Sequence, residues 1–312
     1  MAAQAGERAM YSLDGANPWI VAASRAARRA PGWLAAAGAM LFSAGVLFFF
    51  KSYGPAIQTA LGDLFKTAPD AWRDGLIYCA LQLVVFVAFL VAALAATRWE
   101  GRSPLGARPA KASAVPLGVA IGAGGFLSAV GVAAVAGAIT FAPAIGAPPV
   151  VNAPAGLLVL GFLTVAIQSL SEELFFRGWL QPRLGDAWGP LAGLIVTSLV
   201  FGGLHVIAGA QGVLAVVNLL LGGLMFGLLA LRTGNIYAAA AAHIAWNWTE
   251  SGAVGLNPDP TGSLAHFGFK GAELWNGGQD TMNGSLATSI VLIALVAALA
   301  TAPRWAGARV NR

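Results

Sequence analysis

The sequence predicts an all-α integral membrane protein with about eight transmembrane helices and both termini in the cytoplasm. Three observations support this prediction. Of the 312 residues, 58% are hydrophobic and only 10% are charged, whereas soluble domains contain roughly 25% charged residues. Apolar runs recur from residue 32 to residue 300 without a long polar segment between them. The basic residues are concentrated on alternate sides of these runs.

Eight apolar segments account for the predicted helices. A helix needs about 20 apolar residues to cross roughly 30 Å of hydrocarbon, and these segments meet or nearly meet that length. They span residues 32–50, 75–96, 115–140, 156–180, 190–210, 212–231, 236–256 and 285–302. We therefore predict a transmembrane domain over residues 32–302, a cytoplasmic N-terminal segment over 1–31 and a cytoplasmic tail over 303–312.

Lysine and arginine determine the predicted orientation, because cytoplasmic loops are enriched in both. With both termini inside, 14 of the 18 basic residues fall on the cytoplasmic side. The remaining four are Lys51, Lys66, Arg73 and Lys270. The basic residues do not follow one face or one helix, so the sequence predicts no nucleic-acid partner.

Two segments outside the predicted spans have distinctive compositions. Residues 17–30 join a short apolar run at Trp19 to three arginines, and either a membrane-surface helix or a basic flank of the first span fits this pattern. No cleaved signal peptide is predicted, because no short apolar core directly follows a basic stretch. Residues 257–284 are rich in Gly, Pro, Asn and Asp, and are predicted to form an irregular cover outside the membrane.

Small residues within the spans indicate close helix packing. Glycines at helical spacing allow helix backbones in a membrane to approach each other closely. The pairs are Gly118 and Gly122, Gly189 and Gly193, and Gly223 and Gly227. The single cysteine, Cys79, lies in an apolar segment and is predicted to be a buried hydrophobic residue.

The fourth segment contains two carboxylates and an arginine between large apolar residues. Ionisable side chains within a bilayer are costly and therefore mark candidate functional sites. Glu173 and Arg177 are four residues apart, so they face each other on a helix and can form an ion pair. Glu172 lies about 100° around the helix and lacks this partner, which makes it the preferred general base. A position of both glutamates at the cytoplasmic interface is the alternative.

The fifth and seventh segments each contain a histidine at helical spacing from a second motif residue. His205 follows Phe201 by four residues, and Asn247 follows His243 by four, so each pair shares one helix face. A single membrane histidine often only forms a hydrogen bond to another helix. Two histidines together with Asn247 and the two glutamates indicate a common polar site. His266 falls in the predicted loop and is expected at the surface.

These polar side chains can meet only if they lie at similar depths. A fourth helix that ended at Phe176 would leave Glu172 near the inner surface and His205 much deeper. We therefore predict that the fourth helix stays regular past Arg177. The site residues would then share one polar cavity that opens towards the cytoplasm.

The three motifs together resemble those of the CAAX prenyl protease type 2 family, also called the CPBP or Abi family of intramembrane proteases. The matching parts are EExxxR at Glu172, Glu173 and Arg177, FxxxH at Phe201 and His205, and HxxxN at His243 and Asn247. Each part alone is a weak signal. Their order, their spacing and their placement on three apolar segments are specific, and the resemblance covers about residues 154–256.

The resemblance implies an intramembrane endopeptidase that acts on a membrane-associated peptide or protein. Glu172 and His205 would activate water for attack on a peptide carbonyl, and His243 and Asn247 would stabilise the resulting oxyanion. The supporting residues would be Glu173, Arg177 and Phe201. Eukaryotic relatives act on prenylated CAAX proteins, whereas bacterial relatives act on other substrates.

The catalytic type and two other functions stay open at this point. Glu172, His205 and His243 could hold a zinc ion with one open position, but the HExxH motif is absent. Metal-independent catalysis by a glutamate, without a cofactor, is favoured. A non-catalytic membrane scaffold or immunity-type protein would also retain the motifs. A proton-coupled transporter would use similar residues, although no inverted repeat supports it.

Composition also indicates the source of the chain. Arginine outnumbers lysine 14 to 4, and alanine and glycine are abundant, which is typical of a GC-rich bacterial genome. We therefore predict a multi-pass protein of a bacterial inner membrane. Prenylated substrates are not expected on this basis.

Overall fold

The computed structural model describes residues 17–106, 113–140, 154–257 and 259–301. Most of these residues are helical, and the two short strands, β1 (Ile139–Thr140) and β2 (Gly268–Phe269), pair antiparallel with each other. The α-helices are, in chain order, α1 (Pro18–Ser24), α2 (Gly32–Leu64), α3 (Asp70–Glu100), α4 (Ala114–Val135), α5 (Ala155–Glu173), α6 (Gln181–Trp188), α7 (Pro190–Ala208), α8 (Val213–Thr233), α9 (Tyr237–Trp248), α10 (Glu273–Asn276) and α11 (Leu286–Thr301). The predicted tail, 303–312, and the first 16 residues of the N-terminal segment lie outside the described residues.

Seven helical stretches of the described chain are long and apolar enough to cross a membrane, and they confirm the predicted all-α polytopic membrane fold. They are Gly32–Leu64, Trp72–Glu100, Ala114–Val135, Ala155–Trp188, Pro190–Ala208, Val213–Thr233 and Gly278–Thr301. The predicted span 236–256 contains the shorter α9, which a π-helical turn, Thr249–Ala253, continues. Because α9 packs against α4, α5 and α8, protein surrounds much of it, and its length need not match the hydrocarbon thickness.

Helices α2 and α4 end at residues that differ from the ends of the predicted apolar segments. α2 extends to Leu64, well beyond residue 50, and includes Lys51 and Pro55. Helical hydrogen bonds are internal, so the helix continues where an exposed polar side chain interrupts the apolar run. α4 ends at Val135, before the predicted residue 140, because Gly137 adopts a φ of +75° and turns the chain into β1.

The fourth span is helical from Ala155 to Trp188 but is not regular. A π-helical segment, Leu174–Leu180, joins α5 to α6 without a break. The predicted continuation past Arg177 is therefore confirmed, whereas the prediction of a regular helix is wrong. Phe175 and Phe176 both pack against Phe89, with ring centroids 5.3 and 6.5 Å away. The wider π turn accommodates this burial of two consecutive aromatic residues.

Glycines at helical spacing bring pairs of helices into close contact, as predicted for five of the six. A Cβ atom added at Gly118 or Gly122 would clash with the backbone of α9. A Cβ atom added at Gly193 would clash with the backbone of α6. Gly223 and Gly227 lie against side chains of α7, at Ser198 and Leu194. Gly189 is the exception, because it has open space and a φ of +92° that allows the turn between α6 and α7.

Gly122→Ala is expected to lower the free energy of unfolding by about 1–3 kcal/mol, because the added methyl group overpacks the contact between α4 and α9. Unfolding of the purified protein in detergent, followed by circular dichroism, measures this change. Gly124→Ala, on the same helix, is the matched control, since its added Cβ would meet no atom of a neighbouring helix within 4 Å. Equal stability of the two variants would contradict the proposed backbone contact.

The N-terminal residues 17–24 bury their apolar side chains against protein. Trp19 and Ile20 are each only 4% exposed, and α1 packs against α6. Asn17 caps α1 by accepting a hydrogen bond from the backbone N–H of Trp19, and its Nδ2 donates to the carbonyl oxygen of Leu231 at 3.0 Å. The apolar face of this segment therefore meets the helix bundle and not the lipid interface.

The predicted cover, 257–284, contains β2, α10 and a 3₁₀-helical segment, Gly278–Gly284, joined by turns. It is held to the bundle by polar contacts. The Asp280 carboxylate accepts hydrogen bonds from the backbone N–H groups of Gln211 and Gly212, at 3.2 and 2.7 Å. Asn218 Nδ2 donates to the carbonyl oxygen of Asn283 at 2.8 Å. This segment therefore packs over the end of the bundle where α8 begins.

Candidate active site

A cavity of about 410 Å³ lies between α3, α5, α7, α8 and α9. Its lining includes Phe201 and His205 of α7 and His243 and Asn247 of α9. One water molecule occupies roughly 30 Å³ of liquid, so the cavity has the volume of about a dozen waters. The motif residues of α7 and α9 therefore meet around a space that can admit a short peptide segment and water, and α5 contributes Val165 and Gln168 to its wall.

Glu173 and Arg177 form the ion pair that their spacing predicts. Arg177 Nη1 donates a hydrogen bond to Glu173 Oε1 at 2.8 Å, and both side chains are fully buried. Arg177 Nη2 donates to the carbonyl oxygen of Gly223 at 3.1 Å. Through Arg177, the pair links the π-helical segment to α8. Loss of either member would leave the other charge buried without its partner, which is strongly destabilising.

Three aromatic rings surround the guanidinium group of Arg177. Its central carbon lies 4.7 Å from the ring centroid of Phe201, 5.5 Å from that of Phe226 and 5.7 Å from that of Phe176. Aromatic faces within about 6 Å attract a cation. Phe201, the first residue of the FxxxH motif, thus contacts Arg177 and also lines the cavity.

His243 lies between the two glutamates. Its Nδ1 donates a hydrogen bond to Glu173 Oε1 at 2.9 Å, and its Nε2 is 3.9 Å from Glu172 Oε2. The ring stacks on Phe226, with centroids 4.5 Å apart and an interplanar angle of 17°. A carboxylate on one ring nitrogen determines which nitrogen carries the proton. Glu173 therefore orients His243 and leaves Nε2 as the nitrogen available for chemistry.

Glu172 is nearly buried, with 7% of its surface exposed. Throughout the described chain, its Oε2 finds no hydrogen-bond partner, and the 3.9 Å to His243 Nε2 exceeds hydrogen-bond length. Gln168, one turn earlier on α5, lines the cavity. Glu172 thus lacks the arginine partner that Glu173 has, and its Oε2 lies beside a cavity-lining histidine without a hydrogen bond.

His205 occupies the last turn of α7 and is half-buried. Its Nδ1 donates a hydrogen bond to the carbonyl oxygen of Phe201 at 2.9 Å, so Nε2 is the acceptor in the neutral ring. Within the part of the chain that the structure describes, His205 and Glu172 share no hydrogen bond. His205 lines the cavity, whereas Glu172 lies behind the cavity-lining His243, 3.9 Å from its Nε2.

Asn247 lines the cavity one helical turn after His243. Its Nδ2 donates a hydrogen bond of 3.4 Å to Ser169 Oγ. A bond of this length is weak, so exchange of this partner for a substrate oxygen costs little. Asn247 is therefore a suitable donor for an oxygen atom in the cavity.

The zinc site that the sequence left open requires Glu172, His205 and His243 to converge on one point. Among the described residues, no group of three or more His, Cys, Asp or Glu side chains has this arrangement. Nε2 of His243 is the ring nitrogen that a metal could reach, since Nδ1 donates to Glu173. Metal-independent catalysis stays a prediction.

Glu250 lines the same cavity and was missed by the sequence analysis. It is 6% exposed, and its Oε1 accepts a hydrogen bond from Thr281 Oγ1 at 3.1 Å. Counted from His243, Asn247 is at i+4 and Glu250 at i+7, so the three share one helix face. This spacing was the available signal for a further polar residue of the site.

Asp259 is a second overlooked carboxylate of the cavity lining. It interacts with the hydroxyl groups of Tyr78 and Ser251. Burial raises the pKa of Asp259, whereas these two hydroxyl donors act in the opposite direction. Its position in a loop without helical periodicity left no sequence signal for this contact.

Two residues that were given no catalytic role lie apart from the motif cluster. Cys79 is buried, with 3% exposure, as predicted. His266 is half-buried, not fully exposed, and is absent from the described cavity lining.

The cavity extends to the end of the bundle that the 257–284 segment covers, since Asn257, Asp259 and Asn283 line it. The described chain starts and ends at the opposite end, where Asn17 bonds Leu231 and where Arg232 Nη2 donates to the carbonyl oxygen of Ala300. The predictions of cytoplasmic termini and of a cytoplasmic opening would place these two ends on the same side of the membrane, so the two predictions disagree with each other.

Residues 154–249 match the family model described as "Rce1-like: Type II CAAX prenyl endopeptidase Rce1-like". This match confirms the resemblance that the three motifs indicate. It covers less than a third of the chain but includes all seven predicted site residues, from Glu172 to Asn247. No match was found among curated proteins or among solved structures.

Proposed function

We propose that the chain is an intramembrane endopeptidase of the CAAX protease type, which hydrolyses a peptide bond of a membrane-associated peptide or protein. One observation carries this proposal. The motif residues of α7 and α9 line a single cavity within the segment that matches an endopeptidase family, and Glu172 of α5 lies 3.9 Å from one of them, His243. A scaffold would not need a buried carboxylate oxygen without a hydrogen bond beside such a cavity, because burial of that group is costly.

In the proposed reaction, Glu172 and His205 activate a water molecule. The water oxygen attacks the carbonyl carbon of the substrate while Glu172 takes its proton, and His205 Nε2 accepts a hydrogen bond that orients the water. When the peptide C–N bond breaks, the proton passes to the leaving amine. The carboxylate is thereby returned to its starting state.

His243 and Asn247 are assigned to the oxyanion that forms on the carbonyl oxygen. Asn247 Nδ2 is a suitable donor because its bond to Ser169 is long. His243 donates from Nε2 only when both ring nitrogens carry protons, since Nδ1 is bonded to Glu173. Donors that are already oriented towards developing charge account for a large part of the rate in such reactions.

We propose a metal-independent mechanism in which Glu172 is the general base and no cofactor takes part. A bacterial inner membrane is the proposed location. The proposed partners are the lipid bilayer and a membrane-associated peptide substrate, without nucleic acid.

His205→Asn is expected to lower the cleavage rate by about 10²-fold or more, because an Asn amide can replace Nδ1 at the Phe201 carbonyl but not Nε2. Cleavage of tagged single-span peptides, co-reconstituted with the purified protein in liposomes, measures the rate. His266→Asn is the matched control and should cleave at the wild-type rate.

Unchanged cleavage by His205→Asn would remove His205 from the mechanism. The same assay with EDTA tests the catalytic type, and metal-independent catalysis predicts no loss of rate. A loss that zinc restores would establish a metallopeptidase instead.

A further inference from the structure

The cavity and most of the arginines lie at opposite ends of the bundle. The cavity end is defined by contacts between loops: β1 pairs with β2, the Lys270 N–H bonds the Ala138 carbonyl oxygen, and Asp280 bonds Gly212. At the other end, the Ile236 N–H bonds the Leu105 carbonyl oxygen. These contacts assign each connecting segment to one end without reference to its charge.

The described basic residues are distributed unequally between these ends. The arginine-rich end carries Arg25, Arg28, Arg29, Arg98, Arg102, Arg183 and Arg232. The cavity end carries Lys66, Arg73 and Lys270, and Lys51 lies in the half of α2 that leads to this end. The connection between α2 and α3 belongs to this end because a Cβ added at Gly75 would lie 3.3 Å from the carbonyl oxygen of Pro260. Since short cytoplasmic loops are enriched in lysine and arginine, the arginine-rich end faces the cytoplasm.

The polar lining of the cavity adds a second, independent constraint. It contains two carboxylates, Glu250 and Asp259, and the described lining includes no lysine or arginine. A free C-terminal carboxylate of a substrate would be disfavoured there, because it would lose water without gaining a lysine or arginine partner from the described lining. A neutral or cationic internal segment would be accepted.

We infer that the cavity opens on the non-cytoplasmic face of the membrane and takes neutral or cationic peptide segments that have been translocated to that face. The substrate part of this inference rests on the proposed peptidase function. The orientation part rests only on the fold and on the distribution of charges. Cytoplasmic proteins that carry a prenylated C-terminus are excluded as substrates, because they do not reach this face and because the described lining has no cation for their terminal carboxylate.

Single-cysteine labelling in a Cys79→Ala background tests the orientation. Ala272→Cys places an exposed thiol at the cavity end, and Ala27→Cys places one at the arginine-rich end. Neither change alters a charge. In intact bacterial cells, a membrane-impermeant maleimide is expected to label Ala272→Cys at once and Ala27→Cys only after permeabilisation. The reverse pattern would overturn the inference while leaving the proposed peptidase function untouched.

Tagged single-span peptides with candidate cleavage sites on one face or the other test the substrate class. Sites on the non-cytoplasmic face flanked by lysine or alanine are expected to be cleaved at least about tenfold faster than sites flanked by glutamate, an expected difference of about 1.4 kcal/mol. Cleavage restricted to the cytoplasmic face would overturn the inference. If Ala272→Cys is labelled from outside but no peptide is cleaved, the orientation stands, whereas the proposed function and its substrates are rejected.

Discussion

Glu172→Gln is expected to reduce peptide cleavage by about 10²- to 10⁴-fold, the range for loss of a general base, while the protein remains folded. The substitution keeps the shape of the side chain. No hydrogen bond to Glu172 Oε2 is lost, because this buried atom has no partner among the described residues. Cleavage rates of tagged peptides in liposomes give the activity, and thermal unfolding in detergent gives the stability.

Glu273→Gln serves as the matched control for this substitution. Glu273 is an exposed carboxylate at the start of α10, apart from the cavity lining. Its variant should cleave and unfold like the wild type. If Glu172→Gln retained the wild-type cleavage rate, Glu172 could not be the base, and the proposed mechanism would fail.

Glu173→Ala is expected to lower the free energy of unfolding by about 3–5 kcal/mol, the typical cost of breaking a buried ion pair from one side. The Glu173 carboxylate accepts hydrogen bonds from both Arg177 and His243. Its removal leaves the fully buried Arg177 guanidinium without the carboxylate to which it donates a hydrogen bond. Titration with a denaturing detergent, followed by circular dichroism, measures the loss.

The double variant Glu173→Leu and Arg177→Leu separates the roles of this pair. It is expected to regain much of the lost stability, because apolar residues can replace both charges of a buried pair. It should remain inactive, since His243 Nδ1 has lost its acceptor. Asp70→Asn, which breaks the exposed pair with Arg73, should leave stability unchanged within error. A comparable effect of Asp70→Asn and Glu173→Ala would refute the argument from burial.

Most of the fold could be predicted because lipid imposes a minimum length on apolar helices. Other features have no counterpart in hydrophobicity. α2 continues past Lys51 to Leu64 because backbone hydrogen bonds do not require apolar side chains. The π-helical segment after Glu173 depends on the burial of Phe175 and Phe176 against other helices, which a single segment cannot reveal.

The predictable part of the site is the part within one helix. Glu173 and Arg177 could be paired from their spacing of four residues, and the structure shows this contact. The bond from His243 to Glu173 crosses 70 residues of sequence, so no local pattern encodes it. Asp259 lies in a loop whose path depends on packing over the helix ends. The direction in which the cavity opens likewise requires the arrangement of the loops.

The π-helical segment Leu174–Leu180 also bears on insertions and deletions. Removing one residue there would convert the i→i+5 hydrogen bonds into the i→i+4 pattern of an α-helix. Because the i→i+5 segment holds one residue more than the α-helix that replaces it, the helix on either side would keep nearly its original orientation. The same deletion within the regular part of α5 would rotate everything after it by about 100°. Gln181 Nε2, which donates to the Gly227 carbonyl oxygen at 3.0 Å, would then turn away from α8. A frame-preserving loss of one codon is therefore expected to be less harmful within Leu174–Leu180 than within α5.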